Sequence, residues 1–188
     1  DVQLGWRSLC IEANAHLFEQ LQQNRPSCRN INALVAQPTD SEYAERMPYI
    51  SFWRPGTAMV SDKEWKSGLS GIESPNASNQ EIRSMAHAKR FAQRNGLHVH
   101  RGLLPVIAFA DIFRQHAIRT IDLLSVDVEG AELYSVLQSI NFDEVNIRLL
   151  VVEKPSWKTK ALLKSHAFLD LDISTPRDSI FHNSRWFQ

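Results

Sequence analysis

The 188-residue chain lacks an excess of charge of either sign: lysine plus arginine number 21, and so do aspartate plus glutamate. Without a net basic field there is nothing in the bulk charge to attract nucleic acid or an acidic membrane surface. The local basic groups Lys89-Arg90 and Arg94 sit among alanines on a predicted helix and read as its solvated face. Cysteine is scarce too. Cys10 and Cys28 alone make no disulfide framework, and Cys10, inside an apolar strand pattern, is expected to pack as a small hydrophobe. No apolar run approaches the roughly 18 residues that mark a membrane-spanning helix. No signal-peptide pattern opens the chain, and a cytoplasmic location is favoured. The first residue is Asp1 rather than methionine, so an upstream segment is expected to be missing. G-x-S-x-G, P-loop and H-E-x-x-H patterns are all absent. His98 and His100 alternate on a predicted strand with no third histidine or cysteine nearby, which argues against a metal site. Asn76-Ala77-Ser78 fits a glycosylation sequon but reads as an ordinary loop.

What is present suits one soluble globular domain: 43% of residues are hydrophobic. Strand and helix signals alternate at both ends of the chain. Arg7 to Ile11 reads as a short buried strand, and Leu17, Phe18 and Leu21 mark a following helix with Asn14 as its N-cap. Asn30 to Val35 is the next expected strand. After residue 105 come a helix around Phe109, Ile112 and Phe113, a strand from Ile121 to Val128, and a helix from Ala131 to Ile140. A strand from Ile147 to Glu153, a helix from Thr159 to Ser165 and strands at Phe168–Ile173 and Asp178–His182 complete the pattern. The four-residue joint Ser174-Thr175-Pro176-Arg177 predicts a hairpin, so the last strand should run antiparallel. Such alternation indicates an α/β doubly wound sheet. Residues 37–105 break the rhythm with Pro38, Pro48, Pro55, Gly56, Gly68, Gly71 and Pro75 around Tyr49, Phe52, Trp53 and Trp65, and read as an insertion serving as a substrate lid, an oligomer contact or a packing flap. Gln80 to Asn95 within it is predicted helical, with Gly96 as its stop.

The chemistry-bearing groups lie at predicted strand ends, where open α/β sheets form their ligand crevice. Asp127-Val128-Glu129-Gly130-Ala131-Glu132 follows an apolar run and reads as a strand ending in carboxylates, a glycine turn and a helix start. Asp127 and Glu129 alternate, so they should point to opposite faces. Glu153 ends the neighbouring strand, stopped by Lys154-Pro155. Asp127, Glu129 and Glu153 are therefore the candidate catalytic residues, able to position a hydroxyl and accept its proton, or to bind a hard cation. Capping of the next helix is the structural alternative for Glu129 and Glu132. Glu12, ending the first strand, suits a ribose diol because a carboxylate is acceptor-only; a helix N-terminal acid favoured by the macrodipole is the other explanation.

Leu4-Gly5-Trp6-Arg7, Cys10-Ile11-Glu12-Ala13-Asn14, Asn32-Ala33, the stretch Ile121 to Glu132, Val151-Val152-Glu153 and Leu162-Leu163-Lys164-Ser165-His166 together resemble the FkbM family of S-adenosylmethionine-dependent methyltransferases. The resemblance implies a class I methyltransferase, a Rossmann-like doubly wound sheet with an antiparallel last strand, spanning residues 1–188 as a single domain. It implies S-adenosylmethionine as cofactor, with Glu12 on the ribose, Asn14 shaping the turn, Asn32 and Ala33 near the adenine, and Asp127 near the methionine end. It implies O-methylation of a hydroxyl on a sugar, glycan or small molecule, with a divalent cation as an optional helper. Two departures stand out. Ala13 and Ala15 occupy places where the family typically has prolines, and the first strand with its glycine-rich loop is expected to be lacking, as in an N-terminally truncated domain. A methyltransferase-like module used for binding or trafficking is the alternative function. A metal-dependent phosphoryl or hydrolytic enzyme has no phosphate cradle here to support it.

Overall fold

A computed structural model describes residues 5–36, 46–53, 70–72, 86, 89–90, 93–94, 96, 98–128, 136–173, 175 and 177–186. The chain divides into two compact units, residues 1–107 and 108–188.

The first unit opens with a βαβ arrangement. Strand β1 (Leu9–Ile11) pairs in parallel with β2 (Arg29–Ile31), and helix α1 (Ala15–Asn24) connects them. Asn14 precedes the helix as expected of a cap: its backbone carbonyl accepts from Phe18 N–H at 2.8 Å, and its Oδ1 lies 3.4 Å from Leu17 N. Cys10 and Cys28 are neighbours across this strand pair. Burial, followed by hydrogen bonding to the Cys28 thiol, pushes the Cys10 thiol up to about 11, so it packs as a neutral group.

The single strand expected over Asn30–Val35 is two strands. β2 ends at Ile31, and β3 (Leu34–Val35) pairs instead with Val106 and Ile107 of β6 (His98–Ile107), again in parallel. The change of partner falls on Asn32 and Ala33. The Asn32 side-chain amide takes the Glu12 carbonyl, the acceptor that a further rung of the β1–β2 ladder would use, so side-chain hydrogen bonding displaces sheet pairing there.

Strand β4 (Arg46–Trp53) runs antiparallel to β6 over eight paired residues, from Arg46 opposite Pro105 to Trp53 opposite His98, and β5 (Ser70–Ile72) flanks β4. The sheet order is β3-β6-β4-β5. His98 and His100 thus lie on a strand, as expected. Ala86, Lys89, Arg90, Gln93 and Arg94 are helical, and Gly96 takes the left-handed φ of +61° that a stop signal there requires. The expected roles of Trp65 and of the prolines and glycines around it fall outside the described residues.

The second unit holds one four-stranded sheet in the order β7-β8-β10-β9. Helix α2 (Phe109–Gln115) buries Phe109, Ile112 and Phe113, the three residues whose spacing predicts it. β7 (Thr120–Val126) and β8 (Asn146–Glu153) are parallel; β10 (Asp178–Asn183) is antiparallel to β8 and to β9 (Phe168–Asp170). The antiparallel last strand is therefore as expected. β9 stops three residues short of Ile173 because Asp170 Oδ1 accepts the Asp172 N–H at 3.1 Å and Asp172 turns to φ +54°, an Asx turn that leaves the ladder. Helix α3 (Trp157–Ser165) starts on Ser156, whose hydroxyl accepts from Thr159 N–H at 3.1 Å. Ile112, Leu137, Ile147, Leu150, Val152 and Leu163 are wholly buried and form the core of this unit with Phe181. Of the helix expected over Ala131–Ile140, the described part holds a 3-10 turn at Leu137–Ser139; residues 129–135 lie outside the description.

Candidate functional site

Sequence-expected residues gather at two strand ends, one in each unit. In the first unit, Glu12 leaves β1 directly after Ile11, and its own N–H still donates to Ile31 O at 3.1 Å. The side chain is half-buried. Its Oε1 accepts the Asn14 N–H at 2.7 Å, which folds the carboxylate over the turn entering α1. Burial raises the Glu12 carboxyl above the ordinary range, against the opposing pull of the Asn14 and Ala13 backbone N–H groups. Asn32 closes the turn from the other side: its Nδ2 donates to Glu12 O at 2.7 Å and to Ala13 O at 3.2 Å. Asn14 and Ala33 are buried at 3% and 5% exposure. Glu12, Asn14, Asn32 and Ala33 are thus brought together at the C-terminal ends of two parallel strands. The turn forms without the prolines expected at Ala13 and Ala15, since side-chain and backbone hydrogen bonds hold it.

In the second unit, the β7–β8 register pairs Val126 with Val152, so Asp127 and Glu153 are the next residues along adjacent strands. Asp127 is exposed, whereas Glu153 is 8% exposed. Burial alone would raise the Glu153 carboxyl. Hydrogen bonding with Asp127 and Lys154, aided by the charges of Lys154 and Arg177, outweighs it and holds the group below the ordinary carboxylate range. The Lys154 ammonium lies 2.6 Å from Glu153 Oε1. Lys154 itself sits at φ +43°, and its N–H donates to Arg177 O at 2.6 Å. Glu129, the third expected carboxylate, lies outside the described residues. Lys154 and Arg177 are site residues that strand-end logic does not select. Arg177 had one available signal, the hairpin joint, because a register that sets Asp178 opposite Glu153 brings its neighbour to the strand end. Among the described residues, no group of three or more histidine, cysteine, aspartate or glutamate side chains is arranged to hold a metal ion.

A family model described as the methyltransferase FkbM domain matches residues 1–171, a span that takes in Glu12, Asp127 and Glu153. The chain belongs to the FkbM methyltransferase family. Its α/β architecture, with mixed sheets and, among the described residues, three helices of defined extent, is compatible with a methyltransferase fold. No curated protein and no solved structure matches the chain. Among the described residues of this FkbM domain, no helix is long and apolar enough to cross a membrane. The usual methyl donor of a methyltransferase is S-adenosylmethionine. The Glu12 turn fits such a group: a carboxylate offers about four lone-pair sites, and the two adjacent backbone N–H groups leave acceptor capacity for a diol.

Proposed function

We propose that this FkbM domain transfers a methyl group from S-adenosylmethionine to a hydroxyl of a sugar or other small-molecule acceptor. The observation that carries the proposal is the half-buried Glu12 carboxylate, held by Asn14 at the end of a βαβ unit in a methyltransferase-family chain. Both units would belong to one Rossmann-like, doubly wound domain over residues 1–188, with residues 37–105 as its insertion. S-adenosylmethionine, when bound, supplies a methyl group already made electrophilic by a sulfonium. The protein's task is therefore alignment and proton management.

Glu12 accepts hydrogen bonds from the ribose hydroxyls, with Asn14 fixing the carboxylate and Ala33 contributing a small side chain toward the adenine. Asp127 and Glu153 face the acceptor hydroxyl. Asp127 and Glu153, hydrogen-bonded to each other, act as a pair that orients the hydroxyl and takes up its proton. Glu129, two residues beyond Asp127 in the sequence, is a further acceptor-side candidate. A divalent cation is not needed for these roles.

Calorimetry with S-adenosylhomocysteine and turnover measurements test the reading together. Glu12→Ala should weaken binding, while Asp127→Asn should lower turnover by about 10²–10⁴-fold with little change in melting temperature. Undiminished affinity in Glu12→Ala would remove the ribose assignment. Equal losses of activity and stability in Asp127→Asn would remove the catalytic one. No binding by the wild-type chain would favour a non-catalytic, methyltransferase-like module.

A further inference from the structure

Asn32 does not meet the Glu12 turn in the way a base-contacting residue would. Its amide nitrogen donates to two main-chain carbonyls, Glu12 O at 2.7 Å and Ala13 O at 3.2 Å. Two carbonyl partners also fix which end of the amide is nitrogen, since an oxygen there would face two acceptors. The bonds reach 20 and 19 residues along the chain, from the end of β2 to the end of β1. They fall at the point where β2 abandons its partner, so no ladder hydrogen bond does the same work. On the far side of the turn Asn14 N–H takes Glu12 Oε1. The peptide between the two clamps carries the Glu12 side chain. Ala13 meanwhile packs on the buried Leu34 and Ala36, so the turn has one apolar anchor and one polar one.

We propose that Asn32 is a positioning residue for Glu12: its side-chain amide holds the Glu12–Ala13 carbonyls so that the carboxylate is presented to the cofactor ribose. The inference deepens, and rests on, the assignment of Glu12 to the ribose. It gives Asn32 a role exerted through Glu12 rather than by contact with the adenine. Released from the clamp, the turn relaxes toward solvent and the carboxylate loses its half-buried seat. Two consequences follow, one with cofactor and one without.

With cofactor, S-adenosylhomocysteine affinity is measured by calorimetry on the full chain as a double-mutant cycle. Asn32→Ala is expected to weaken binding about tenfold, the scale of two lost hydrogen bonds partly replaced by water. In a Glu12→Ala background the same substitution is expected to change affinity less than about twofold, because the group it positions is gone. Additive losses would overturn the inference, since Asn32 would then act on the cofactor directly. Unchanged affinity in Asn32→Ala beside a weakened Glu12→Ala would overturn it as well, leaving the ribose assignment intact. Unchanged affinity in Glu12→Ala would remove the ribose assignment instead, and with it the purpose proposed for the clamp.

Without cofactor, carbon-13 NMR titration of the Glu12 carboxyl reads the clamp itself. The Glu12 titration is expected to fall from its raised position toward the ordinary glutamate range in Asn32→Ala, with the other carboxyls unmoved. Asn32→Ser retains one donor, gives an intermediate shift, and carries the test should Asn32→Ala not fold. A Glu12 titration identical to wild type in the folded variant would overturn the clamp.

Discussion

Glu12 and Glu153 are both strand-end carboxylates, yet their surroundings push them in opposite directions, and stability should follow. Burial dominates at Glu12 and raises it, so the folded chain binds that proton more tightly than the unfolded chain. Stability from this group is therefore greatest at low pH and falls as pH rises through the ordinary glutamate range to the raised folded value. At Glu153 the Asp127, Lys154 and Arg177 interactions outweigh burial and lower it. Its contribution is present above the ordinary value and is lost as pH falls through the lowered folded one. Thermal melts across pH 3 to 8 should therefore show Glu12→Gln more stable than wild type at neutral pH, with the gain vanishing in acid. Glu153→Gln should be less stable at neutral pH, with the deficit shrinking in acid. The same sign for both variants at neutral pH would contradict these environments. Both carboxylates were legible in the sequence as acids closing apolar runs. Their opposite settings were not, because Lys154 reaches Glu153 from a left-handed backbone and Arg177 reaches it across a hairpin.

Elements show a similar division between what spacing reveals and what long-range contacts add. The positions of Phe109, Ile112 and Phe113 announce α2, but nothing local caps it: Ala108 offers no side-chain acceptor. The cap comes from thirty residues away. Buried Ser139 accepts the Phe109 N–H at 3.1 Å and donates to Val136 O at 2.6 Å, tying the helix start to the 3-10 turn at Leu137–Ser139. Ser139→Ala would strand the Phe109 N–H among buried apolar groups, at a cost of about 1–3 kcal/mol. Chemical denaturation of the variant should show that loss, while a change below about 0.5 kcal/mol would mean that water or another acceptor replaces the hydroxyl. By contrast, the α3 cap on Ser156 is local and within reach of sequence reasoning. Asn32 illustrates the same limit in a strand. The stretch from Asn30 to Val35 reads as one strand, because the side-chain hydrogen bonds that break it belong to a turn twenty residues earlier.

At the scale of the whole molecule, strand alternation conveys the α/β class and the hairpin joint conveys the antiparallel last strand. The partner exchange that puts β3 beside β6 is not legible, since it depends on which of several short strands lies nearest. Ligand linkage offers a test that spans the chain. A ligand that binds only the native state stabilises it by an amount set by concentration over Kd, about 2.7 kcal/mol at a hundredfold excess. S-adenosylhomocysteine at that excess should therefore slow hydrogen exchange at the backbone amides of residues 12 and 29, which donate across the β1–β2 pair to Ile31 O and Ser8 O. A tenfold weaker Glu12→Ala should keep only about half of that stabilisation at the same ligand concentration. Asp127→Asn retains a polar side chain of the same size, so it should keep most of the protection while losing turnover. This pattern follows from the proposed division of labour, in which the β1 end holds the donor and the β7–β8 end handles the acceptor. Equal loss of protection in the two variants would mean that both ends hold the cofactor. Full protection in Glu12→Ala would place the nucleoside elsewhere.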